Sequence, residues 1–169
     1  MFLLSGFLGA FLGASLTFFF NMWKFHRDER SSRCDELCKA VAEASQRAHD
    51  YWAKTFEASD DQKLVEAELY AAQIIVDGIF SGFRPFLSID DEKVIDELFS
   101  DLMDLLTGGN YSVPGRAKDL TRATNVKPVS ADIIVQLRRA HRDTMPFHRI
   151  SLAFHQNKRR TLDMPHGWK

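Results

Sequence analysis

The chain has 169 residues, 45% of them apolar and 27% charged, and 22 Lys and Arg nearly balance 23 Asp and Glu. That composition excludes a disordered chain and a uniformly basic nucleic-acid binder, and two cysteines are too few for a disulfide scaffold. The balance is not local: residues 1–33 carry net +2, residues 34–106 net −11 and residues 107–169 net +8.

Met1 to Trp23 contains no charged side chain. Helical, this stretch reaches roughly 34 Å, against about 30 Å for the hydrocarbon core of a bilayer. A secretory signal would want a positive start and a shorter apolar core before a small-residue cleavage site. Here no Lys or Arg precedes the core, and it ends in Phe18-Phe19-Phe20. A buried soluble helix of this length would need a larger partner domain. The expectation is therefore a transmembrane helix over residues 1–23, with Trp23 at the interface. Lys24, Arg27, Arg30 and Arg33 follow it directly, and the positive-inside rule places them in the cytoplasm. In a bacterium that means the inner membrane, with the N-terminus outside and Cys34 and Cys38 reduced.

Small residues collect on one half of the expected span: Ser5, Gly9 and Gly13 in one row, Gly6, Ala10 and Ala14 beside it, Thr17 between them. Small rows let helix backbones approach closely in lipid, so this face suits self-association or another membrane protein. Leu3, Leu16 and Phe20 intrude on it.

Beyond the span the periodicity is helical. A first helix is expected from about Trp23 to Phe56: Cys34, Leu37, Cys38, Val41, Ala44, Ala48, Trp52 and Phe56 share a face, and no Pro or Gly separates them from the span. Ser59 with Gln62 resembles a capping box opening a second helix over 60–83, with Leu64, Val65, Leu69, Ala72, Val76, Ile79, Phe80 and Phe83 as its stripe. Arg84-Pro85 stops it. Asp90, Asp91 and Glu92 open a third, which carries Val94, Ile95, Leu98, Phe99 and Leu102 and ends at Gly108-Gly109. A short helix is expected over 116–124. Pro128 reads as the start of a further one, with Ile133, Ile134, Leu137, Ala140 and His141 inward. The fold class expected is all-α: one N-terminal transmembrane helix (1–23), then a small antiparallel helical bundle (24–145) and a basic tail (146–169).

Chemistry-bearing patterns are sparse. Cys34 and Cys38 share a helix face, but no finger-spaced ligands follow. His49-Asp50 lacks the further ligands a metal-dependent phosphohydrolase needs. Glu66, Glu68 and Asp77 face candidate partners Asp96, Asp101 and Asp104, without the Glu-x-x-His spacing of a di-metal bundle. Gly108-Gly109-Asn110 lacks the Lys-Ser or Lys-Thr of a phosphate loop. His141, His148 and His155 recur every seven residues, with Pro146 between them. No catalytic, metal or cofactor residue is assigned.

The basic end is the strongest soluble feature: Arg138, Arg139, Arg142, Arg149, Lys158, Arg159 and Arg160, interleaved with Phe147, Phe154 and Trp168. It suits anionic lipid headgroups, a partner, or the acidic middle. It matches no nucleic-acid motif. The expected function is a membrane-anchored helical adaptor whose span associates laterally and whose bundle docks a partner. Membrane lipids and a second copy or another membrane protein are the expected partners. The alternatives are a membrane-tethered metal-dependent hydrolase and a pore-forming effector.

Overall fold

A computed structural model describes the backbone of residues 2–143 and the side chains of residues 9–142. Four α-helices and one 3₁₀ turn make up the described residues, with no strand. Helix α1 runs Phe2–Trp52 without a break, 51 residues, about 76 Å at 1.5 Å per residue. Helix α2 is Asp60–Phe83, α3 is Ile89–Thr107 and α4 is Leu120–Asp143. The expected all-helical bundle is what the chain forms.

Contacts fix the helix directions. Trp52 near the end of α1 meets Leu105 and Leu106 near the end of α3, while the start of α4 returns to His49. Arg30 and Arg33 lie against Phe86 in the α2–α3 turn. The bundle is thus up-down-up-down, with the C-terminal half of α1 packed on α4 and α2, and α3 closing against α4. Its core is one cluster that runs from Cys34 and Leu37 through Trp52, Phe80, Phe83, Phe99 and Leu102 to Ile133 and Leu137. Phe80 and Phe99 stack at 4.0 Å between ring centroids, and join α2 to α3.

The caps explain the boundaries. Ser59 accepts from the Gln62 N–H at 3.2 Å and starts α2. The reciprocal half of the box is absent, because the Gln62 amide turns to Glu66 instead. Ser88 caps α3 by accepting from the Asp91 N–H at 3.2 Å, a signal the acidic run at 90–92 had overshadowed. Gly109 sits at φ +64 and leaves room for the Arg122 guanidinium, which a Cβ would meet at 2.8 Å.

Three expectations need correction. Helix α1 ends at Trp52, not Phe56, because the Trp52 carbonyl turns away to accept from the Asp119 N–H at 2.9 Å. Leu64, Val65 and Val94 lie outside the core, exposed on α2 and α3. Most important, there is no helix start at Pro128 and no separate helix over 116–124. Asp119 caps α4 through the Arg122 N–H at 2.9 Å, and the helix passes through Pro128. Ala123, Val126, Ser130, Ile133, Leu137 and Ala140 are all buried on one face, and burying that stripe requires one continuous helix. Pro128 itself is exposed. Ser45 donates to the Val126 carbonyl at 3.4 Å and Ser130 to the Lys127 carbonyl at 2.8 Å, so side chains serve carbonyls beside the proline.

Among the described residues no helix is long and apolar enough to cross a membrane. The side chains of residues 1–8, which belong to the expected span, lie outside that description. So does the expected tail, with His148, Arg149, His155, Lys158, Arg159 and Arg160. Phe11, Leu12, Leu16, Phe18, Phe19, Phe20, Met22 and Phe25 are all exposed.

Candidate functional site

The structure brings two sequence-predicted basic groups to one end of the bundle. Lys24, Arg27, Arg30 and Arg33 lie on α1 where it joins the bundle. Arg138, Arg139 and Arg142 end α4, which runs antiparallel to α1 and terminates at the same level. Two independent couplings fix that register. Arg138 sits beside the Cys34–Cys38 pair, and His141 sits within the field of Arg30 and Asp35. The α2–α3 turn completes this end: Arg30 lies 5.0 Å and Arg33 5.9 Å from the Phe86 ring centroid. Along α1, Arg30 is about 10 Å from Trp23.

The α1 cations have local partners. Arg27 bonds Asp28 at 3.1 Å and lies 5.4 Å from the Trp23 ring, and Arg33 bonds Glu29 at 2.8 Å. The side chains of these ion pairs are 39–55% exposed, where such pairs contribute about 0–1 kcal/mol, so a competing phosphate can replace the carboxylate at little cost. Arg138, Arg139 and Arg142 are exposed on α4.

On α1 before the bundle, Gly9, Ala10, Gly13, Ala14 and Thr17 are exposed, and a Cβ added at Gly9 or Gly13 would meet nothing within 4 Å. Thr17 donates back to the Gly13 carbonyl at 2.8 Å, so its hydroxyl needs no outside partner. The side chains of Ser5 and Gly6 lie outside the described residues.

The remaining chemical candidates resolve into structural roles. Cys34 and Cys38 are buried free thiols. Cys38 is the more acidic of the two: the hydrogen bond from Cys34 favours its thiolate and the Arg138 cation adds to that, while Cys34 is pushed up by the same bond and by burial. The His49 ring nitrogen Nδ1 pairs with the Ala123 carbonyl at 2.9 Å, and Asp50 accepts from Gln46, so the pair shares no site. Glu68 pairs with Arg47, Asp96 with Arg84 and Asp104 with Arg122. Among the described residues no three His, Cys, Asp or Glu side chains gather as metal ligands.

The far end of the bundle is a lock that the sequence reading missed. Arg116 is buried, its guanidinium 4.3 Å from the Tyr51 ring centroid and 4.9 Å from that of Trp52, donating to the Tyr51 carbonyl at 3.2 Å. Its Nε has no partner. Beside it Glu66 accepts from Tyr51 at 3.2 Å, Ser112 at 2.7 Å and Gln62 at 3.0 Å. Burial alone would raise the Glu66 carboxyl, but these three donors outweigh it and hold it below its usual value. Ser112 is held at φ 57 by this network, the one non-glycine residue of positive φ among those described. A long Gly-rich loop gave no sequence signal of an arginine buried within it.

Comparison with protein families, curated proteins and solved structures finds no match for this chain.

Proposed function

We propose that this protein is a single-pass membrane-anchored helical adaptor. Residues 1–23 are the anchor, the N-terminus lies outside the inner membrane, and the bundle lies in the cytoplasm. The basic end rests on anionic headgroups through Lys24, Arg27, Arg30 and Arg33 together with Arg138, Arg139 and Arg142. The anchor associates laterally through Ser5, Gly6, Gly9, Ala10, Gly13, Ala14 and Thr17, with a second copy or another membrane protein. The bundle then presents its other surfaces to a partner.

One observation carries this reading. The segment of α1 that leaves the bundle exposes apolar side chains on every side, from Phe11 to Phe25. That is roughly 1,000 Å² of apolar surface, worth about 25 kcal/mol if removed from water. No monomer in water tolerates such a patch, whereas acyl chains or a partner helix would cover it. The change from that segment to a basic end within about two turns supports lipid over a soluble partner, because headgroup phosphates lie at that depth.

The test is flotation of the full chain with vesicles after carbonate washing, combined with a reporter at the C-terminus. The expected result is retention in the membrane fraction and a reporter active only in the cytoplasm. Arg138, Arg139 and Arg142 replaced together by Gln should leave insertion intact. The same variant should reduce the enrichment of anionic lipid around the protein in native mass spectra. A full chain that stays monodisperse in water without detergent overturns the proposal, as does a reporter active outside the cell.

A further inference from the structure

Helix α2 is apolar on two faces. One face packs in the core through Leu69, Val76, Phe80 and Phe83. The other carries Leu64, Ile74 and Ile75, all exposed, with Gly78 and Gly82. A helix apolar all round is one covered on both sides. The two glycines serve nothing inside the described fold: neither has positive φ, and a Cβ at either would meet nothing within 4 Å. What they do is open the seam between α1 and α2.

That seam holds two clefts. Its lower part, of about 610 Å³, is floored by Phe25, Gly78, Ile79 and Gly82, with Asp28, Glu29 and Glu36 of α1 along its wall. Its upper part, about 250 Å³, is floored by Ala71 and Ile75 and edged by Glu43 and Glu68. The only lining cations, Arg33 and Arg47, are each paired with a lining acid, Arg33 with Glu29 and Arg47 with Glu68. From outside the lining Arg27 pairs with Asp28 and Lys39 with Glu43, so the clefts are apolar at their base and Glu36 is the rim acid without a cation partner.

The chain itself supplies the complement. Residues 144–169 follow α4 at the same end of the bundle as the lower cleft, and they carry five Lys and Arg against one Asp. Their apolar members, Phe147, Ile150, Leu152 and Phe154, precede the run Lys158-Arg159-Arg160. Residues 144–146 alone separate α4 from this segment, a reach of roughly 10 Å when extended, about one helix diameter, so the segment itself makes the passage around α1. We infer that residues 147–160 occupy the α1–α2 seam of their own chain, with aromatic and aliphatic side chains on the glycine floor and basic side chains on the Glu36 and Glu43 rim. The segment thereby covers the second apolar face of α2, and a docking partner would have to displace it.

The test uses the full chain in zwitterionic detergent, with photoreactive p-benzoylphenylalanine placed at Ile75 and, separately, at Ser32. The expected product runs at the mass of one chain and joins the probe to a peptide from residues 147–160. Lys158→Glu, Arg159→Glu and Arg160→Glu together should cut its yield about tenfold, since like charges then face each other across the rim. Adding Glu36→Lys and Glu43→Lys should restore it, and circular dichroism checks that each variant keeps its helix content. An adduct at twice the chain mass would seat a second copy in the seam and overturn the inference. So would an adduct to detergent alone, no adduct at either position, or a yield indifferent to the charge reversals. Neither probe reports on membrane insertion, so this inference and the anchoring proposal stand or fall separately.

Discussion

Pro128→Ala separates two descriptions of α4. In an unbroken helix a proline is about 3 kcal/mol worse than alanine, because it removes one N–H and crowds the preceding turn. Pro128 is the ninth residue of α4, and the carbonyl it leaves without a donor is that of Thr124. Thr124 is exposed, so water serves that carbonyl and lowers the cost. The proline also restricts the unfolded chain, a compensation of about 0.4–1 kcal/mol that alanine gives up. Alanine should therefore stabilise the bundle by about 1–2 kcal/mol, raising Tm by roughly 3–8 °C in a domain of this size. Helicity at 222 nm against temperature and urea, for the full chain in mild detergent, measures both. If Pro128 instead began a separate helix, it would occupy the position where proline is favoured. Alanine would then be neutral or destabilising, and that result would refute an unbroken α4.

Three further outcomes follow from the same geometry. His141 is held below its usual value by burial and by Arg30, against the pull of Asp35. Its charged form is thus favoured by unfolding, so its contribution is intact above the ordinary pKa of about 6.5 and is lost as pH falls below it. His141→Gln should flatten the decline in stability measured between pH 7.5 and 5.5, and an unchanged slope would assign the decline elsewhere. Trp52 donates to the Leu105 and Leu106 carbonyls at 2.8 and 3.3 Å from a fully buried position. Trp52→Phe should cost about 2–3 kcal/mol in urea unfolding, from the lost bond and the smaller ring. In limited alkylation with iodoacetamide, peptide mapping should find Cys38 modified ahead of Cys34, with the preference reduced in Arg138→Gln. Equal rates for the two thiols would show that Arg138 does not act on them.

The sequence made the elements that bury one clean stripe legible. Helix α2 begins and ends at the residues its cap and Arg84-Pro85 indicate, and α3 ends at Gly108 as its glycines indicate. Periodicity reports amphipathicity, and these helices sit in a bundle with one face inward. It could not report Leu64, Ile74 and Ile75 as an exposed face, because an apolar residue carries no mark of which side of a two-faced helix meets the core. Arg116 was illegible for the opposite reason. A charged residue in a Gly-rich loop reads as solvated, and only the meeting of Tyr51 and Trp52 with that loop makes burial tolerable.

The basic end depended on a parity that local pattern does not encode. In an up-and-down bundle the last helix returns to the level where the first one joined only if the number of helices is even. Reading a short helix over 116–124 and a fresh start at Pro128 leaves that number undetermined, and with it the end to which Arg138, Arg139 and Arg142 belong. One continuous α4 makes the count four among the described residues. It carries those arginines down beside Cys34, Cys38 and Arg30, on the side where the exposed apolar segment of α1 begins. Like charges do not gather at one end of a bundle without cost, since each repels the others across a distance near the screening length. Asp28, Glu29 and Asp35 offset part of that cost on α1 itself, and an anionic surface at the same level would offset the rest. Under the proposed anchoring, an acyl core capped by phosphate would suit both the basic end and the exposed apolar helix beside it. The continuity of α4 through a single proline is what brings the two together.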